Sequence, residues 1–84
     1  MDTILIVDDE PLARSRLQRL LSAFPEHQLI GEASDGDTAL RLATELQPDL
    51  VFLDIDMPDG TGFDLLQQLT PVTFKVIFIT GHED

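Results

Sequence analysis

Two short apolar runs in this chain end in acid: Ile4-Leu5-Ile6-Val7 leads into Asp8-Asp9, and Leu50-Val51-Phe52-Leu53 leads into Asp54-Ile55-Asp56. If the runs are parallel neighbours in one sheet, four carboxylates emerge together at its carboxyl edge, where open α/β sheets bind ligands. Two like charges ~4 Å apart repel by roughly 4 kcal/mol at a surface-like dielectric, and a bound divalent cation is the simplest reason for such a cluster. Asp54, at the end of a buried strand and open on one side, is the candidate nucleophile. A carboxylate attacks phosphorus to give an aspartyl phosphate when a cation neutralises the incoming oxygens. Mg²⁺ suits the role because it takes one or two carboxylates, keeps waters and shares phosphate oxygens. Asp8, Asp9 and Asp54 are the expected metal ligands, directly or through water, and Asp56 adds its backbone carbonyl. The competing reading is that Asp8 or Asp9 caps the helix that starts near Pro11.

Those acids need a sheet to hold them. Residues 3–7 are continuously apolar, as in a strand buried on both faces. Pro11 suits the first position of a helix; Ala13, Leu17, Leu20, Leu21 and Phe24 recur on its apolar face, Arg14, Ser15, Gln18 and Arg19 face away, and Pro25 ends it. Residues 28–33 form a weaker strand, broken by Gly31 and charged at Glu32, which suits a sheet edge. Ser34-Asp35-Gly36-Asp37 is a capped turn; Ala39, Leu40, Ala43 and Leu46 mark a second helix, closed by Gln47-Pro48. A third strand over 50–53, a loop over 58–62, a third helix over 63–69 and a fourth strand over 75–80 complete the order βαβαβαβ. Short connections of this kind imply parallel strands, right-handed crossovers and a doubly wound parallel sheet with helices on both faces.

Composition narrows the partners. The 84 residues suffice for one domain, and 16 acidic against 5 basic residues give a net charge of -11, which repels nucleic acid and anionic membranes. Three of the five cations, Arg14, Arg16 and Arg19, share one helix. The absence of cysteine excludes disulfides and thiol chemistry. Asp2 and Asp8 interrupt the first apolar stretch, so neither a signal peptide nor a membrane span is expected, and a cytoplasmic location is the default.

Ile6-Val7-Asp8-Asp9-Glu10-Pro11, then Asp54-Ile55-Asp56-Met57-Pro58 with Gly62, then Phe78-Ile79-Thr80-Gly81 resemble, in the same order, the receiver domain of two-component response regulators. The resemblance covers residues 1–84. It implies a flavodoxin-like fold with strand order 2-1-3-4, a signalling domain rather than a turnover enzyme, and transfer of a phosphoryl group to Asp54 from a sensor histidine kinase with Mg²⁺ bound. It also implies that Thr80 is the switch hydroxyl, that Asp56 and His82 tune phosphate lifetime, and that the first helix, with Ala13 and Arg14, docks the kinase. Phosphorylation would then shift the population of surface states read by an output domain, expected to be transcriptional. Residues 8–17 are reminiscent of receivers joined to LytTR-type DNA-binding domains.

The receiver pattern continues with a helix, a fifth strand ending in lysine and a last helix. None is found here, so the chain reads as the N-terminal portion of a receiver, by truncation or natural incompleteness. Lys75, about 16 Å from Thr80 at strand rise, cannot replace that lysine. Residues 76–79 would lie at an open apolar edge, from which a dimer or edge-strand association is expected. The rival function is a haloacid-dehalogenase-type phosphohydrolase with Asp54 as nucleophile; Asp54-Ile55-Asp56 fits half of its D-x-D-x-[ST] pattern, but Met57-Pro58 does not continue it. An EF-hand reading of Asp54, Asp56, Asp59 and Gly60 fails in register, with Pro58 at the fifth position and no closing glutamate.

Overall fold

In the computed structural model, which describes residues 2–54, 67–68 and 74–79, the central strand is β1 (Asp2–Val7). Ile4, Leu5, Ile6 and Val7 are all fully buried, as an unbroken apolar run requires when both faces of a strand are covered. Around it stand α1 (Pro11–Leu21), β2 (His27–Ala33), α2 (Gly36–Leu46), β3 (Leu50–Asp54) and β4 (Lys75–Ile79). Every pairing is parallel and the strand order is β2-β1-β3-β4, the doubly wound, flavodoxin-like order 2-1-3-4. Gln67 and Gln68 are helical; the rest of the expected third helix, and the loop over 58–62, lie outside the described residues.

α2 covers one face. Its small buried residues Ala39 and Ala43 pack with Leu5, Val7, Ala33, Val51 and Leu53. Asp35 caps its start, accepting from the Thr38 N–H at 2.7 Å. Gln47, at φ 49°, takes the left-handed conformation that stops it before Pro48. Gly31 follows the register shift between Ile4 and Leu5, and a Cβ there would stand 3.1 Å from Leu46 Cδ1 and 3.3 Å from Leu5 Cδ1. The glycine that weakens the strand pattern therefore lets α2 lie close.

α1 covers the opposite face, but rolled from its expected orientation. Leu17 and Leu21 are partly buried, whereas Leu20 is 62 % exposed and Phe24, beyond the helix end, 50 %. Arg14 turns inward instead, onto Glu32 of β2, and Gln18, still exposed, reaches the same carboxylate. At about 100° per residue, a stripe centred between Leu17 and Leu21 admits Arg14 and leaves Leu20 outside. Hydrophobic spacing alone carries no sign of the partly buried glutamate that these two side chains satisfy.

At the other end of the sheet, Asp49 pins three strand starts. Its Oδ2 accepts from the Thr3 N–H at 2.9 Å and the Thr3 hydroxyl at 3.0 Å, its N–H donates to the Thr3 carbonyl, and its own carbonyl accepts from the Lys75 N–H. The two bonds to its carboxylate, from the Thr3 N–H first and then the Thr3 hydroxyl, lower the Asp49 pKa below its ordinary 3.8. A carboxylate depressed on folding contributes stability above its unfolded value, and that contribution is lost as pH falls through the folded one. Acid unfolding from pH 5 downward should therefore cost the parent chain more stability than Asp49→Asn, the two curves converging below about pH 4. Parallel curves in a urea titration at each pH would contradict this.

Candidate functional site

Register brings the acids together. β1 and β3 pair Ile4 with Leu50, Ile6 with Phe52 and Val7 with Leu53, so one further step sets Asp8 beside Asp54. Both are 2 % exposed. One carboxylate oxygen from each of Asp8, Asp9 and Asp54 lies within 4.8 Å of the others, with Asp9 the least buried. β4 runs toward the same edge, pairing Ile79 with Asp54. Asp56, Thr80 and His82 lie outside the described residues.

The helix-capping reading of the first acids is not what the structure shows. Glu10 occupies the N-cap of α1 without a side-chain bond. Asp8 Oδ1 accepts from the Glu10 N–H at 2.9 Å, a turn two residues long that bends the chain off the strand and fixes the carboxylate. The Asp8 N–H donates to the Ala33 carbonyl at 3.0 Å, and the Asp8 carbonyl accepts from Arg14 Nη1 at 2.6 Å.

Three ionised carboxylates at this spacing repel by about 3 kcal/mol per pair at an effective dielectric of 20. Hard divalent cations hold oxygens at about 2.0–2.6 Å, so two ligands of one ion stand at most about 4.0–5.2 Å apart. The all-oxygen cluster therefore fits a divalent metal in both chemistry and span. Lys75 offers no competing cation: it is paired with Leu50 at the opposite end of the sheet.

Sequence reasoning missed the Arg14–Glu32 pair, at 3.2 Å, with Gln18 on the other Glu32 oxygen. The available signal was a charged residue inside a strand together with polar residues four apart on the neighbouring helix. Arg14 is thus engaged within the fold and does not face away from it as the helical spacing predicts.

Among the described residues no helix is long and apolar enough to cross a membrane. The chain is 44% identical over 84 residues to an uncharacterised response regulatory protein of Vibrio vulnificus, spanning 99% of this chain and 35% of that protein. It is 46% identical over 82 residues to the sensory transduction protein LytT of Enterococcus faecalis (95% and 34%). With the nitrate/nitrite response regulator NarL of Escherichia coli it shares 37% identity over 86 residues (98% and 40%). The chain spans between a third and two-fifths of the length of these relatives. Among solved structures, the MaeR response regulator bound to beryllium trifluoride superposes with a TM-score of 0.89 at 32% identity, over 100% of this chain and 70% of that one. The response regulator domain of Thermotoga maritima CheB gives 0.82 at 30%, over 95% and 60%. The response regulator receiver domain model matches residues 4–84, and with the strand order and the acid-bearing edge in agreement, the chain belongs to the receiver domains of two-component signalling.

Proposed function

We propose that Asp54 accepts a phosphoryl group from the phosphohistidine of a sensor histidine kinase. An Asp54 carboxylate oxygen attacks phosphorus, the P–N bond breaks, and its electron pair returns to the imidazole. Asp8, Asp9 and Asp54, with the Asp56 carbonyl, would hold Mg²⁺. When bound, that ion neutralises the phosphoryl oxygens and aligns them for transfer. Thr80 supplies the switch hydroxyl, Asp56 and His82 tune the lifetime of the phosphate, and the added charge favours a different surface state. The observation that carries this reading is Asp54, 2 % exposed, with Asp8 and Asp9 oxygens within 4.8 Å.

Residues 1–84 are, in this reading, the N-terminal part of a receiver that controls transcription through a separate output domain. The relative named as the nitrate/nitrite response regulator NarL supports that, and a cytoplasmic location goes with it. Intact mass after incubation with acetyl phosphate and Mg²⁺ should show one added phosphoryl group, absent under chelation, with no turnover of p-nitrophenyl phosphate. A chain that binds Mg²⁺ yet never acquires the adduct would overturn the assignment; steady phosphomonoester turnover would favour the phosphohydrolase.

Self-association belongs to the same proposal. β4 is an outer strand of the four described, and Ile77 and Phe78, on its two faces, are 44 % and 43 % exposed. Such an edge offers backbone groups and apolar side chains to a second copy. Light scattering should show mass rising with concentration, and a monodisperse monomer at high concentration would refute it.

A further inference from the structure

We propose that Arg14 is a positioning residue for the acidic cluster, setting where the Asp8 carboxylate stands and hence the cluster's preference for Mg²⁺; this rests on the metal-binding reading above. Asp8 lies just past the end of β1, where its carbonyl has left the ladder. Arg14 Nη1 takes that carbonyl at 2.6 Å while Arg14 Nε holds Glu32 Oε1 at 3.2 Å. Gln18, one turn on, takes the other Glu32 oxygen. Both faces of the link are anchored: Glu32 is paired with Ile6 in the sheet, and the Arg14 and Glu32 side chains are only 20 % and 29 % exposed.

A guanidinium is a rigid fork, so its Nε contact with Glu32 dictates where Nη1 points. The two peptide groups that flank the Asp8 Cα are therefore held, the carbonyl from α1 and the N–H by Ala33, and the Glu10 N–H orients the carboxylate. Mg²⁺ demands near-ideal octahedral oxygens at about 2.0–2.1 Å, whereas Ca²⁺ accepts 2.3–2.6 Å and irregular geometry. Loosening Asp8 should thus weaken Mg²⁺ far more than Ca²⁺. Lysine keeps the charge of Arg14 but presents it as a point on a flexible stem and not as a planar fork, and Glu32→Ala leaves the arginine in place without its tether.

Calorimetric titration of the chain with Mg²⁺ and with Ca²⁺ reads the ratio of the two affinities, which a merely structural role would not move. Arg14→Lys and Glu32→Ala should each weaken Mg²⁺ binding about tenfold, the usual scale for groups that orient metal ligands, with Ca²⁺ affected much less. Should Arg14→Lys fail to fold, Glu32→Ala carries the same test. Unchanged Mg²⁺-to-Ca²⁺ ratios in the folded variants would overturn the assignment while leaving the metal reading intact, as would Arg14→Lys behaving as parent with Arg14→Gln binding more tightly, which marks a pure charge effect. A parent chain that binds neither ion overturns both.

Discussion

Asp54→Asn should leave the chain folded and abolish the phosphoryl adduct. The amide matches the carboxylate in shape, and Asp54 closes β3 in register with Ile79, so the sheet has no reason to change. What disappears is the anionic oxygen that attacks phosphorus. Intact mass after acetyl phosphate treatment should show no adduct at times when the parent is labelled, and Mg²⁺ affinity should fall as well, because one of three clustered carboxylates has lost its charge. Asp56→Asn is the informative contrast. The proposed ligand at that position is a backbone carbonyl, which the substitution keeps, so Mg²⁺ binding and labelling should persist and only the lifetime of the phosphate should change. An adduct that survives in Asp54→Asn and disappears in Asp56→Asn would move the acceptor to Asp56. An adduct present in both would place the chemistry outside this pair.

Much of this site was legible because β-strands are stiff and parallel register is simple. An apolar run followed by acid, occurring twice, needs only adjacency to bring Asp8 and Asp54 together, and continuous burial of Ile4 through Val7 supplies the central position that makes adjacency probable. The caps of α2 were readable for a similar reason: Asp35 and Gln47-Pro48 act through local geometry. The orientation of α1 was not. With Leu12 counted, its apolar positions span about half the helix circumference, so their spacing permits several rolls, and the one adopted is selected by Glu32, eighteen residues away from Arg14. A tertiary hydrogen bond of this kind leaves no periodic trace. The same contact explains why Arg14, which reads as a surface cation, instead supports the loop that carries Asp8 and Asp9.

Neutralising Asp8 should raise metal-free stability and reverse that gain when Mg²⁺ is added. Asp8→Asn keeps an Oδ1 that can accept from the Glu10 N–H, so the turn survives, while repulsion with Asp54 and Asp9 is removed. The buried pair at less than 4.8 Å contributes most of that repulsion; Asp9 is better solvated and contributes less. Screening reduces the bare estimate of about 3 kcal/mol per pair to an expected gain of about 1–2 kcal/mol, or roughly 4–16 °C in Tm for a domain of this size. Mg²⁺ at about a hundred times its Kd stabilises the parent by about 2.7 kcal/mol, and the variant, with a ligand charge missing, gains much less. Calorimetric melting in EDTA should therefore rank Asp8→Asn above the parent, and melting in saturating Mg²⁺ should bring the parent level or above. If the variant instead melts lower in EDTA, its carboxylate contributes more through the Glu10 turn than it loses to its neighbours. The cluster would then be stable as built and would need no ion to account for it.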